Sequence, residues 1–186
     1  MKVVEIKKPA LVQMIAAVYE PIKPLECTGL LGGEMNGDRI KVRLAQPAQI
    51  VDRRPASVDY ANEWKRIRDL ISRSYDFLGG FHSHLRTIVQ EDSEKRIDLG
   101  TVGLSETDTE TMKDEYPRGI EIVIAMNPSR RKIPARVSDY RIIGYLAGRG
   151  KRNYRLEIGA YYLDGSLRKR RAELHVQKRV MNSFFC

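Results

Sequence analysis

Apolar positions recur at helical spacing over residues 7–19 (KKPALVQMIAAVY), where Leu11, Met14, Ile15 and Val18 share a face and a proline stands near the start. Pro21 and Pro24 then end the helix and lead into a turn. Residues 27–33 (CTGLLGG) form a short apolar, Gly-rich run that predicts a buried strand, and MNGD at 35–38 carries a hairpin signal into the alternating strand RIKVRLA. Residues 58–74 form an amphipathic helix with Tyr60, Trp64, Ile67, Leu70 and Ile71 on its core face. YDFLGGFHSH and GIEIVIAM (119–126) read as strands, and ETDTETMKDEY between them as a helix. RVSDYRIIGYL and NYRLEIGAYYL flank the basic turn GRGKRN as a hairpin, and residues 167–181 read as a final helix in preference to an extended strand. Residues 85–104 fit no pattern and read as a surface loop or arm. The order predicts a single α/β layered domain over 1–186, a mixed sheet flanked by helices.

Composition narrows the class. With 186 residues, 42% hydrophobic and 31% charged, the chain has enough apolar side chains for one packed core. It has no apolar run long enough to span a membrane and no secretory leader, so a cytoplasmic location is expected. Two cysteines, Cys27 and Cys186, exclude a disulfide framework and a four-cysteine zinc site. Residues 141–186 hold eleven Lys and Arg against three acids, so nearly all of the net charge of +9 lies there. That C-terminal region predicts an acidic partner: an acidic protein, nucleic acid or an anionic surface.

Candidate chemistry gathers around two of the three histidines. His82 and His84 close a strand with one residue between them, so both imidazoles project from the same face and can converge on one cation, unless they are a merely structural pair. Asp108 stands three residues after Ser105 at a helix start. It is either a third ligand or the partner in a plain capping box. Glu26 stands among apolar neighbours at the entrance to a predicted buried strand, where a carboxylate is costly unless paired or used; otherwise it faces solvent. Cys27 reads as a small buried residue, His175 as a surface residue and Trp64 as core.

Together, PLECTGLLGG, GGFHSH and LSETDTETM resemble, in order and placement over roughly residues 7–126, the motifs of the JAMM zinc metalloproteases, also called the MPN+ family. The resemblance implies a cytidine-deaminase-like layered fold and hydrolysis of amide bonds. The substrate class it implies is a peptide or a ubiquitin-like conjugate, cut after the C-terminal Gly-Gly. One zinc ion would be held by His82, His84 and Asp108 with a water in the fourth position. Glu26 would be the general base for that water as it attacks the carbonyl, and Ser105 would stabilise the oxyanion. Two departures stand out. Leu85 replaces the proline that usually follows the second histidine, and twenty residues, 85–104, replace a short spacer. The insertion brings two nearer carboxylates, Asp92 and Asp98, but Asp108 alone has the serine at the family's offset. The inserted segment is a flap, a substrate-recognition arm or a self-blocking element. The same family also contains scaffolds without metal ligands, so a non-catalytic MPN-type module is the alternative, with nucleic-acid binding through the basic C-terminal region the other; no nucleic-acid motif accompanies that region.

Overall fold

The structure, a computed structural model, describes residues 1–19, 27–48, 58–85, 87–91, 94–98, 101–129, 135–138, 140–147 and 153–184. Twelve strands and four helices are described. In chain order they are β1 (Val3–Ile6), α1 (Lys8–Tyr19), β2 (Thr28–Asn36), β3 (Arg39–Pro47), α2 (Val58–Ile71), β4 (Asp76–Leu85), β5 (Thr87–Glu91), β6 (Glu94–Asp98), α3 (Glu106–Glu115), β7 (Ile120–Pro128), β8 (Arg136–Ser138), β9 (Arg141–Ala147), β10 (Asn153–Leu163), β11 (Lys169–Arg171), β12 (Glu173–His175) and α4 (Lys178–Phe184). One mixed sheet runs β12-β1-β3-β2-β4-β7-β10-β9-β8, with β11 paired to β10. Its ends curl toward each other: β12 at one end also contacts β8 and β9 at the other.

The hydrophobic pattern accounts for the layers. Leu11, Met14, Ile15 and Val18 of α1 are buried in one cluster with Val42, Leu78, Phe81, Ile122 and Ile124. On the opposite face α3 packs Met112 against Leu104, Tyr116, Val123 and Tyr161. Beside it, α2 packs Ile67 and Ile71 against Leu30 and Ala48. β7 is therefore covered on both faces, and all six residues of IEIVIA, Glu121 included, are buried. Gly37, with φ +58, turns the β2–β3 hairpin where the MNGD signal predicts it.

Several expectations change. Residues 167–181 are not one helix. Ala172 and Leu174 alternate with more exposed neighbours, β12 adds in parallel to β1, and helix begins only at Lys178. β1 itself carries too few residues to stand out by periodicity, yet it sits between β3 and β12. Residues 85–104 are not simply a loop: β5 and β6 form an antiparallel hairpin, and Val102 and Leu104 are buried. Leu70 lies off the core face and is 47% exposed, because it is turned about 100° from Ile71; Trp64 is partly buried at the edge of the α2 cluster. The side chain of Tyr60, Pro21, Pro24, Cys186 and the turn between β9 and β10 lie outside the described residues. β9 and β10 themselves pair as predicted, from Asn153 opposite Ala147 to Gly159 opposite Arg141.

Candidate metal centre

The glycine pair before the histidines decides which way they face. Leu78 and Phe81 both enter the α1-side core, although strict alternation would put them on opposite faces. The irregularity falls at Gly79, whose φ is +128 and where a Cβ would lie 2.1 Å from the Ile120 carbonyl oxygen. A register shift between Leu31 and Gly32 on the paired strand β2 matches it. Beyond that point Phe81 and Ser83 are fully buried, and His82 and His84 emerge on the α3 side. Without the break, the histidines would share the face of Leu78.

The two imidazoles then converge. His82 Nε2 and His84 Nε2 are 3.1 Å apart, and Asp108 Oδ2 is 3.6 Å from His82 Nε2. One ligand atom from each of the three residues lies within 4.8 Å of the others, close enough to hold a metal ion. The outer nitrogens are both engaged. His82 Nδ1 is 2.6 Å from Glu121 Oε1, and His84 Nδ1 is 2.7 Å from the Thr101 carbonyl oxygen. Both of those partners accept and neither donates, so in neutral rings they take the Nδ1 protons. Two Nε2 lone pairs and a carboxylate oxygen are left facing one another, an arrangement that calls for a cation. Ligands held about 2.0–2.1 Å from a tetrahedral ion stand roughly 3.3 Å apart, between the two measured separations. The donor set fits a metal ion.

Asp108 comes from the third position of α3. Its carboxylate accepts from the Ser105 amide at 2.9 Å and from the Ser105 hydroxyl at 2.5 Å, while its own amide donates to Ser105 Oγ at 3.1 Å. The capping-box residue thus also stands beside the imidazoles as the third candidate ligand. Burial pushes the Asp108 carboxyl up. The Ser105 hydrogen bonds and the nearby imidazoles outweigh that and hold it below the usual carboxylate range.

Glu121 and its neighbours form a layer behind the ligands that the sequence pattern alone does not single out. Glu121 is 4% exposed, and its second oxygen accepts the Tyr116 hydroxyl at 2.6 Å. Burial, and then the Glu121 charge, raise the Tyr116 phenol well above its ordinary value, so it remains a donor. Phe77 meets Tyr116 edge-on with centroids 6.0 Å apart. Gly80 leaves the room: a Cβ there would lie 2.5 Å from Glu121 Oε2 and 2.9 Å from the Tyr116 hydroxyl. An acidic residue inside the apolar strand GIEIVIAM is the signal that could have found Glu121.

Residues 101–104 are pinned from the C-terminal half. Tyr161 donates its hydroxyl to the Val102 carbonyl at 2.5 Å, and Lys169 Nζ donates to the Leu104 carbonyl at 2.5 Å. Tyr161 and Lys169 therefore hold the segment that carries Thr101 and leads into Ser105. On the other side, Ser83, between the histidines, donates its amide to the Cys27 carbonyl and accepts the Cys27 amide on its hydroxyl, both at 2.8 Å. Cys27 is buried and His175 exposed beside Glu173, as expected. Glu26 and Asp92 lie outside the described residues, as do the side chain and any ligand role of Asp98.

Among the described residues no helix is long and apolar enough to cross a membrane. No protein-family model matches the chain, and no curated protein matches it. Among solved structures it is similar to the solution structure of protein DSY2949 from Desulfitobacterium hafniense, with 18% identity and a TM-score of 0.52 over 94% of this chain and 92% of that one. At that identity the likeness shows a shared fold of mixed α/β type, a large mixed sheet flanked by helices.

Proposed function

We propose that the chain is a zinc-dependent metallopeptidase of JAMM type that hydrolyses an amide or isopeptide bond, with a ubiquitin-like conjugate or a peptide as substrate class. The observation that carries the reading is the convergence of His82 Nε2, His84 Nε2 and Asp108 Oδ2, with both imidazoles held from behind by acceptors. The resemblance of PLECTGLLGG, GGFHSH and LSETDTETM to that family supplies the reaction class. Zinc, when bound, supplies Lewis acidity, which acidifies water and polarises a carbonyl.

The chain's own residues do the rest. His82, His84 and Asp108 hold the ion, and Glu121 and the Thr101 carbonyl fix the ring orientations. Glu26 is the general base that takes a proton from water and returns it to the leaving amine; its support is the motif and its bond to Cys27, which pairs with Ser83 between the histidines. Ser105 has one hydroxyl proton, which it donates to Asp108. Stabilising an oxyanion requires that proton to turn toward the substrate oxygen. β4 is flanked by β2 through His82 and by β7 through Leu85, so an extended tail does not add to that stretch of strand. The outer edges of the β5–β6 hairpin, directly after His84, suit such a tail better.

The test couples metal analysis to turnover. The parent is expected to bind near-stoichiometric zinc and to cleave a ubiquitin-like isopeptide substrate. A His82→Ala/His84→Ala variant loses both, and Glu26→Gln keeps the metal but loses turnover. Equal zinc in parent and double variant would remove the metal centre. Normal zinc binding without cleavage of any isopeptide or peptide substrate would leave the scaffold reading in its place.

A further inference from the structure

We propose that a second site, a cationic cavity remote from the histidines, binds a small molecule bearing two or more phosphate groups. The cavity measures about 590 Å³, and Lys7, Lys8, Arg43, Tyr75, Gln177 and Arg179 provide its polar lining. That size falls in the range of roughly 300–1,000 Å³ typical of small-molecule sites. Tyr75 immediately precedes β4, and His82 lies seven residues along the chain. The strand rise separates them by roughly 23 Å, so this is not an arm of the metal centre.

The charge balance of the lining is one-sided. Lys7, Lys8, Arg43 and Arg179 line the cavity, and among the described residues no carboxylate lines it. Lys7 is paired with Glu5, and Arg43 Nε donates to Glu34 at 2.6 Å. Lys8 and Arg179 have no ion pair among the described residues. Arg179 Nε donates to Gln177 Oε1 at 2.9 Å, which orients the guanidinium and leaves its terminal N–H groups for a ligand. Lys8 and Arg179 therefore bring uncompensated positive charge to one concavity, and a compact polyanion neutralises it. Guanidinium and ammonium groups together match the several acceptor oxygens of a phosphate chain.

The walls are fixed. The Lys7 amide donates to the Val42 carbonyl at 2.9 Å, the Leu11 amide to the Lys7 carbonyl at 3.0 Å, and the Tyr75 amide to the Ile71 carbonyl at 2.9 Å. Tyr75 is 37% exposed and offers a ring to a planar group attached to the phosphates. A nucleotide and a bare polyphosphate share the anionic chemistry and differ only in using that ring.

The experiment is calorimetric titration of the full chain, freed of metal by a chelator, at low salt, with ATP and with inorganic triphosphate as probes. One-to-one binding that weakens with added salt is expected. Lys8→Gln and Arg179→Gln are each expected to weaken it about tenfold or more. Arg170→Gln, in β11 and not among the residues lining the cavity, and His82→Ala/His84→Ala are expected to leave it unchanged, with circular dichroism confirming that each variant is folded. If ATP binds tighter and Tyr75→Ala removes the difference, the ligand carries a planar group; if the two bind equally, it is a polyphosphate. Absence of binding by both probes overturns the proposal. So does binding that survives both single variants, or that Arg170→Gln weakens as much as they do.

Discussion

The Nδ1 atom of His82 lies 2.6 Å from a carboxylate oxygen of Glu121, and Glu121 is almost wholly enclosed between β4, β7 and the Tyr116 hydroxyl. This contact fixes which ring nitrogen of His82 carries a proton, and so which one is offered to a metal. Carboxylate partners of metal-ligating histidines typically contribute about 10–100-fold in metal affinity. Glu121→Gln, which keeps the shape and loses the charge, is expected to weaken zinc binding in that range, read by competition with a coloured chelator. Unchanged affinity would show that Glu121 serves packing alone.

Gly80 exists for the sake of that pair. Alanine there puts a methyl group 2.5 Å from Glu121 Oε2, and neither Glu121 nor Tyr116 has free space to retreat into. Gly80→Ala is expected to lower stability by about 1–3 kcal/mol in urea unfolding and to weaken metal binding as well. Gly165, where an added methyl group would meet nothing within 4 Å, is the tolerant control.

Tyr161 and Lys169 reach the metal centre from far along the chain. Removing the phenolic hydroxyl in Tyr161→Phe leaves the Val102 carbonyl unpaired and is expected to cost about 1–3 kcal/mol. Lys169→Met releases the Leu104 carbonyl, next to Ser105. Both variants are expected to weaken metal binding less than loss of a ligand does, measured by the same competition, because they loosen the wall that positions Thr101 and Asp108.

The turn before Lys169 is sensitive to acid. Asp164 accepts the amides of Arg168 at 3.0 Å and Ser166 at 2.9 Å and the Arg170 guanidinium at 2.9 Å. The Arg168 amide, above all, holds its carboxyl below the ordinary value of 3.8. A carboxyl depressed by folding stabilises the folded state fully above its unfolded value, and the contribution is lost as pH falls through the folded value. Asp164→Asn is therefore expected to unfold at lower urea than the parent near neutral pH. The gap is expected to close on acidification below about pH 4.

Much of this was written locally in the chain. The face of α1, the β2–β3 turn, the β9–β10 pairing and the two imidazoles on one side of a strand all follow from short-range patterns. Asp108 was legible as a capping-box residue, which the structure shows, and as a candidate ligand, which its place beside the two imidazoles allows. Glu121 was not singled out, because its partners His82 and Tyr116 meet it only through the pairing of β4 with β7. The strands β1 and β12 are three or four residues long and gain their identity from each other. The burial of Val102 and Leu104 depends on residues near 160 and 170, which no window of sequence around them contains.

The separation between the parts of the metal centre has a kinetic consequence. The histidines stand two residues apart, Asp108 reaches them from the next helix, and the supports from Tyr161 and Lys169 close loops of 59 and 65 residues. Long loops close late, after the entropy of joining their ends has been met. A half-folded chain then presents two imidazoles without the remaining donor in place, and the full affinity belongs to the native state. Zinc is expected to slow unfolding far more than it speeds refolding, so stopped-flow chevrons with and without the ion would differ mainly in the unfolding limb. The ion would act less as a seed for this fold than as a latch that engages when the last strands have docked.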